Sequence, residues 1–504
     1  MQLLIGRHPT LHNRKMHALK SLTRYLSCTL LCVVASIFSA SAQAQALPPP
    51  VLMALNRAQV PTDAIALLVQ EVGGRTAPRL SHRADQPMNP ASVMKLVTTT
   101  AALDLLGSAY TWRTSVWIDG PVVNGVLQGN VIIQGQGDPK LVLEKLWLLL
   151  RRLQGLGIHT IAGNILLDNR AFEVPTTDAA DFDGEPLRPY NTAPDALLVN
   201  FKSVVMTFAP DPLANIARVQ FDPPLWGVQL QTSVPLSPVK SGGNGSCGNY
   251  RAGLKADFST PLSIRFNGSY AASCGEKVWP IAYADPASYN ARALEGLWRS
   301  MGGQLTGTVH AGTAPQGPAT FEFNSPTLAE VIRDINKFSN NVMAQQVFLT
   351  LGLPAPATPA TAREAVRQWW QRRISATDVP TIDNGSGLSR QNRISAQQLG
   401  QLLQMAYTSP NMPELMSSLP LVGVDGTLKR SLASSASAHL KTGSLREVTA
   451  LAGYVHATNG KRYVLVAIVN HPNAAAVRPA LDALIDWAVM DNQPPRSYPT
   501  DLKQ

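Results

Sequence analysis

The stretch Asn89-Pro90-Ala91-Ser92-Val93-Met94-Lys95 constrains this chain more than any other. Pro90 is disfavoured inside a helix, so the backbone arrives extended or turning. From Ser92 the pattern becomes helical and ends near Gly107, a residue suited to a C-terminal cap. Val93 to Leu106 is apolar almost all round, so this helix is expected to be buried. Ser92 and Lys95 are three residues apart and lie one above the other on one face. An amine in such a setting can stay neutral and take the hydroxyl proton, as a serine nucleophile with a lysine base requires.

A Ser-x-x-Lys tetrad is weak evidence alone, and the chain holds a second, Ser237-Pro238-Val239-Lys240. That copy sits in a Pro- and Gly-rich stretch with no helical period and is read as accidental. Gly243-Asn244-Gly245-Ser246-Cys247-Gly248 formally matches a dinucleotide-binding pattern, but no strand precedes it and no helix follows. Asp181-Phe182-Asp183-Gly184 resembles a calcium loop without the later Glu at the required spacing.

The chain has 504 residues, 45% hydrophobic and 15% charged, enough for a large core and two or three domains. Its formal charge is +10, of which Arg7, Arg14, Lys15, Lys20 and Arg24 supply half within residues 1–46. No basic stripe interleaved with aromatics is present, so nucleic acid is not an expected partner. The modest remaining positive balance suits contact with an anionic polymer.

Residues 1–46 read as a secretory signal, with a basic stretch, an apolar run from Tyr25 to Ala40, and Ala-x-Ala sites at Ala42-Gln43-Ala44 and Ala44-Gln45-Ala46. Translation from Met16 is an alternative start. The apolar run is short for a membrane span, so no stable anchor is expected after cleavage. Cys28 and Cys32 leave with the signal. Cys247 and Cys274 remain, an even pair in an exported chain, and a disulfide is expected. A metal site is not expected there, because no His completes it.

Along the mature chain, after the Pro-rich residues 48–50, Ala64 to Val72 predicts a strand. Thr114 to Ile118 and Val131 to Ile133 predict hairpin strands around Asn124-Gly125. Pro139 predicts the first position of a helix to about Leu156, and Ile161 to Leu167 one strand. From 170 to 325 the sequence reads as turn-rich and β-dominated. Ser325-Pro326 predicts a capped helix start with Leu328, Val331, Ile332 and Ile335 on one face. That helix breaks at Ser339-Asn340-Asn341, and a second apolar helix runs to Gly352. Further helices are expected over 362–373, 395–408 and 477–489. Leu440–Ser444, Ala450–Val455 and Tyr463–Val469 are expected strands, the last two joined through Asn459-Gly460.

Three motifs therefore stand in order: Ser92-Val93-Met94-Lys95, Ser339-Asn340-Asn341 and Lys441-Thr442-Gly443-Ser444. The first opens a buried helix, the second lies between helices, and the third lies on a strand that begins a hairpin. The set matches that of penicillin-binding proteins and β-lactamases. Chemistry assigns the roles. Ser92 attacks an acyl carbon and Lys95 takes its proton, its pKa lowered by burial and by Lys441. Ser339 relays a proton to the leaving amine. Asn341 binds an amide of the acyl part. Lys441 and Thr442 hold a carboxylate, and Gly443 admits substrate close to the strand. The backbone N–H groups of Ser92 and Ser444 form an oxyanion hole. No cofactor and no metal enter this scheme.

With Gly137-Asp138-Pro139, Leu198-Val199-Asn200-Phe201, Gly385-Ser386-Gly387-Leu388-Ser389-Arg390 and Asp425-Gly426-Thr427-Leu428, the chain resembles the class C low-molecular-mass penicillin-binding proteins, the D-alanyl-D-alanine carboxypeptidases and endopeptidases. The resemblance covers essentially the whole mature chain. It implies an α+β fold: a β-lactamase/transpeptidase-like catalytic domain, an antiparallel sheet with helices, interrupted by a large β-rich accessory insertion of two domains. The expected division is 1–46 signal, 47–112 first catalytic part, 113–325 insertion and 326–504 second catalytic part. It also implies a periplasmic enzyme acting on peptidoglycan stem peptides and cross-links, with β-lactam antibiotics as covalent inhibitors. Alternatives are a β-lactamase or esterase on the same scaffold, a wall-binding protein with a vestigial site, or a secreted binding module. Asp425, Ser386, Arg390 and His439 are expected to shape the site's surroundings more than to act in it.

Overall fold

The computed structural model describes residues 46–73, 77–237, 247–354 and 356–491. Residues 1–45 of the expected signal (1–46), the tail of the accidental tetrad (238–240) and most of the glycine pattern (243–246) lie outside the described residues.

The architecture turns on one five-stranded antiparallel sheet. Its strands are β1 (Ile65–Glu71), β2 (Leu80–His82), β3 (Ala438–Leu445), β4 (Val448–His456) and β5 (Arg462–Asn470), in the order β3-β4-β5-β1-β2. Both faces are covered, which is why β1 and β5 read as nearly unbroken apolar runs. Ala66, Leu68, Ala452, Tyr454, Val464, Val466 and Ile468 point into a helical layer. Ile65, Leu67, Val69, Leu451, Leu465 and Ala467 point the other way, onto Pro49–Arg57 and the last helix, α5 (Arg478–Val489). The two-residue period of a strand makes this division without any special sequence signal.

The helical layer contains α1 (Lys95–Leu106), α2 (Leu328–Phe338), α3 (Asn341–Thr350) and α4 (Ala396–Tyr407). α1 has no polar face: Lys95 through Leu103 are all buried. α4 lies flat on the sheet, with Leu68 pressed so close to Gly400 that a Cβ there would stand 2.3 Å from it.

The chain from Arg113 to Asn324 begins and ends side by side. Arg113–Asp119 receives the chain outward, and Phe321–Asn324 pairs antiparallel with it, Val116 opposite Phe321 and Arg113 opposite Asn324. Between them the described residues build four sheets around one continuous apolar cluster, from Val116 to Phe321. A disulfide joins Cys247 to Cys274 at the edge of that cluster.

Several local expectations need correction. The prolines at 48–50, for which no element was predicted, begin a helix, Pro49–Arg57: Pro48 holds the N-cap position without a capping bond, and the others occupy first-turn positions that need no donor. The helix expected from Pro139 starts at Leu143, since Asp138 first folds the chain into a turn by accepting from Lys140 N–H at 2.7 Å. Ile161–Leu167 is two strands, Thr160–Ile161 and Ile165–Asp168, in different sheets. The β-dominated region also holds a fifteen-residue helix, Pro286–Ser300, capped by Asp285. Ser325 does not cap α2; its hydroxyl accepts from Trp112 N–H instead. The cap is Thr327, in a reciprocal capping box with Glu330.

That box sets where α2 begins. Thr327→Ala should therefore lower stability by about 1 kcal/mol, the usual worth of an N-cap hydroxyl. A denaturation midpoint unchanged from the parent would show that Thr327 does not hold the start of α2.

Candidate active site

Ser92 sits in a tight 3₁₀ turn, Ala91–Met94, from which α1 continues directly. Asn89 clamps the turn from three sides. Its Oδ1 accepts from Ala91 N–H, its Nδ2 donates to Ser389 O, and its N–H donates to Asn470 Oδ1, each at 2.9 Å. Within this clamp Ala91 adopts φ +47°, a conformation costly for any residue with a Cβ. The Ser92 N–H heads the turn and has no acceptor among the described residues.

Lys95 is fully buried, and its Nζ meets three oxygens: Ser92 Oγ at 2.9 Å, Asn341 Oδ1 at 2.6 Å and Ser386 O at 2.5 Å. Burial first, and Lys441 second, hold its pKa well below the ordinary lysine value. A neutral amine has two N–H donors and one lone pair. Two partners, Asn341 Oδ1 and Ser386 O, can only accept, so they take both donors. The lone pair is left for the hydroxyl of Ser92.

Ser339 is the left-handed residue (φ +57°) that ends α2, and Asn340 caps α3 by accepting from Met343 N–H. This junction lets Asn341, the first residue of α3, reach inward to Lys95. Its carbonyl is engaged there, and Nδ2 makes only a long contact to Tyr190 O at 3.5 Å. Nδ2 is thus the part of Asn341 available to a bound carbonyl.

Lys441, on β3, is also fully buried and donates to Ser339 Oγ at 2.9 Å and Thr442 O at 2.7 Å. Burial lowers its pKa to about 7. β3 is a sheet edge. At its start, Leu440 N–H donates to Pro420 O and Ala438 O accepts from Val422 N–H, so even-numbered residues turn their backbone outward. The same period sets the N–H groups of Thr442 and Ser444 on that edge, beyond the last pairing. Thr442 Oγ1 lies 2.7 Å from Thr427 Oγ1.

Gly443 has a packing reason beside the one expected. A Cβ there would come within 2.4 Å of Pro90 O and 3.2 Å of Ala91 Cβ, so glycine lets β3 pack on the turn that holds Ser92. Gly387 presses on the same turn from the other side, 2.1 Å from Ala91 O by the same measure.

Ser92, Ser339 and Ser444 line two cavities at once. One, about 340 Å³, runs past Thr427, Thr442 and α5. The other, about 1190 Å³, runs past Asn341, Tyr190, Asp183 and Arg390. The three motifs thus meet at the junction of a two-sided cleft. Three residues that stand in the quoted sequence stretches without a role in the site contribute to it: Asn89, Ser386 through its carbonyl, and Thr427. Paired glycines at 385 and 387 were the available signal for the second. Asp425 holds its loop by accepting from Leu421 N–H and pairing with Lys337 at 2.6 Å. His439 stands beside His456, 5.6 Å between ring centres, away from the cleft lining.

A family model described as the D-Ala-D-Ala carboxypeptidase 3 (S13) family matches residues 52–489. The chain is 27% identical over 417 residues to a D-alanyl-D-alanine carboxypeptidase of an Actinomadura species, covering 78% of this chain and 76% of that one. It is 24% identical over 399 residues to D-alanyl-D-alanine carboxypeptidase DacB of Haemophilus influenzae, covering 76% and 80%. The crystal structure of penicillin binding protein 4 from Haemophilus influenzae superposes with a TM-score of 0.67 at 22% identity, over 86% of this chain and 99% of that one.

The depressed pKa values of the two lysines have a sign that stability reads. Between the folded value near 7 for Lys441 and the free lysine value, the unfolded chain binds the extra proton, so stability rises with pH across that window. Lys95 contributes in the same direction. Denaturation midpoints should climb from about pH 7 to about pH 9, and Lys441→Met should flatten part of the climb. A midpoint that falls over this interval in the parent chain would contradict buried neutral amines.

Proposed function

This chain belongs to the D-Ala-D-Ala carboxypeptidase 3 (S13) family, and from that premise we propose that Ser92 and Lys95 perform its chemistry. The enzyme is a serine-type D-alanyl-D-alanine carboxypeptidase/endopeptidase acting on peptidoglycan peptides. The observation that carries the residue assignment is the partner set of Lys95 Nζ. Two acceptor-only oxygens fix its donors, so its lone pair faces Ser92 Oγ.

Substrate enters with its acyl part along Asn341 and its terminal carboxylate against Lys441, Thr442 and Thr427. Asn341 Nδ2 holds a carbonyl of the acyl strand. Ser92 Oγ attacks the carbonyl carbon of the scissile amide as its proton passes to Lys95. The tetrahedral oxyanion is held by the N–H groups of Ser92 and Ser444, which is supported by the first heading a turn and the second facing the free sheet edge. The C–N bond breaks, and the leaving amine takes the proton that Lys95 received, relayed through Ser339, whose hydroxyl accepts from Lys441 at 2.9 Å. Water then attacks the ester carbon and gives a proton to Lys95, neutral again, which passes it to the departing Ser92 Oγ.

Export to the periplasm fits this substrate. The signal-like pattern of residues 1–46 and the Cys247–Cys274 disulfide both support an oxidising compartment outside the cytoplasm. Among the described residues no helix is long and apolar enough to cross a membrane. We read residues 113–325 as the accessory insertion, supported by its separate apolar cluster and by its return beside its own entry strand. The catalytic domain is then 47–112 with 326–504.

Ser92→Ala should abolish covalent labelling by penicillin and release of D-alanine from a D-alanyl-D-alanine peptide, with the thermal midpoint kept. Undiminished labelling would refute the nucleophile. In the parent chain the penicillin adduct should persist; rapid turnover of the drug would favour a β-lactamase.

The rate of acylation should follow a bell against pH. Its acid limb reflects loss of the neutral Lys95 amine, and its alkaline limb begins near 7 as Lys441 loses its charge. Lys441→Arg keeps that charge, so its profile should lose the alkaline limb whatever its absolute rate. An unchanged alkaline limb would assign it to another group.

A further inference from the structure

The smaller cavity continues past the point where the terminal carboxylate is held. Beyond Thr427 and Thr442 it is lined by Arg430, Ser431, Arg478, Leu481 and Asp482. Arg430 follows the 3₁₀ turn Gly426–Leu428, and Arg478 is the first residue of α5. They come from separate segments and face the same space. Neither guanidinium has an ion pair, hydrogen bond or ring partner among the described residues. The only carboxylate lining this cavity, Asp482, is already engaged by the Ser431 hydroxyl at 2.7 Å and by Leu432 N–H at 3.4 Å. Leu481 and Ile485 supply an apolar side one and two helical turns on.

Free D-alanine does not account for this. As a leaving group it carries one carboxylate, next to the scissile amide, and Lys441 with Thr442 meets it. The remaining space and two unpaired cations call for a leaving group that extends further and carries more negative charge. Resting on the reading of the site given above, we infer that Arg430 and Arg478 form a leaving-strand subsite for cross-linked peptidoglycan. The leaving group there is the amine of a second stem peptide, whose further carboxylates the two guanidiniums receive. The reaction is the same amide hydrolysis, with water as the only co-reactant. What changes is that opening a cross-link gains charge-assisted contacts that trimming a terminal D-alanine does not. Since the acyl half is common to both substrates, the preference acts on their ratio.

The test uses the purified full chain and two muropeptides, a cross-linked dimer and a monomer ending in D-Ala-D-Ala. The kcat/KM for opening the dimer is divided by that for releasing D-alanine, so partial misfolding cancels. The double variant Arg430→Ala/Arg478→Ala should lower this ratio about tenfold or more, the scale of losing charged contacts to a bound partner. Arg430→Lys/Arg478→Lys should restore part of it. A dimer whose leaving strand has its carboxylates amidated should show the same drop with the parent chain. A ratio unmoved by the double Ala variant overturns the inference. So does a parent chain that releases D-alanine but opens no dimer, which leaves the peptidase reading intact. A parent chain that does neither and takes no penicillin label overturns that reading itself.

Discussion

The site depends on one amine held where water cannot reach it. Lys95 Nζ sits among Ser92 Oγ, Asn341 Oδ1 and Ser386 O, contributed by three distant stretches of chain. An ammonium in the same place would have three donors and no lone pair for the hydroxyl. Burial disfavours that charged form, and the second buried lysine disfavours it further. Fold and reactivity are therefore one problem. The apolar helix α1, the junction between α2 and α3, and the loop of Gly385 to Gly387 must all close on the amine for it to act as a base.

Much of the closing is done by small residues. β3 approaches the nucleophile's turn so closely that Gly443 admits no Cβ, and Gly387 is equally confined on the opposite side. Asn89 then ties the turn to the 389 loop and to Asn470 at the end of β5. The strained Ala91 is tolerated because these contacts over-determine its backbone. A mobile serine could not keep a hydrogen bond to Lys95 and a place beside the free edge of β3 together.

The residues proposed to react, which the fold brings to one cleft, could be picked out in the sequence, because covalent chemistry needs particular residue types at short, fixed spacing. Ser92 with Lys95, Ser339 with Asn341, and Lys441 to Ser444 are each only a few residues apart, the first two across the junction of two elements and the third on one strand. The sheet strands were legible too, since burial on both faces leaves long apolar runs such as 463–469. What escaped were contacts set by tertiary approach. The Ser386 carbonyl is a backbone atom that any residue type would present. Gly443 reads only as an opening for substrate until Pro90 is seen against it. Element starts failed where a side chain had a better partner elsewhere, as with Ser325 and Trp112 N–H. The helix Pro286–Ser300 carried a capping Asp and a first-turn Pro, but short strands around it dominated the regional pattern.

The cleft's two sides come from different parts of the chain. Residues 182–205 of the inserted segment, among them Tyr190, Asp183 and Phe201, wall the side that runs past Asn341. The loop after β3's partner strand segment at Pro420–Val422 and the face of α5 wall the side that runs past Thr442. Ser92, Lys95 and the free edge of β3 stand between them. On the function proposed above, the two surfaces read the substrate and these groups break the bond. Residues 113–325 enter and leave through one antiparallel pair, Val116 against Phe321, yet Phe172 and Ala196 also pack into the cluster that holds α1, and Asp195 N–H donates to Gln346 of α3. If substrate lies as proposed, its acyl strand and its leaving strand meet different walls of the cleft, and Ser92, Ser339 and Ser444 border both.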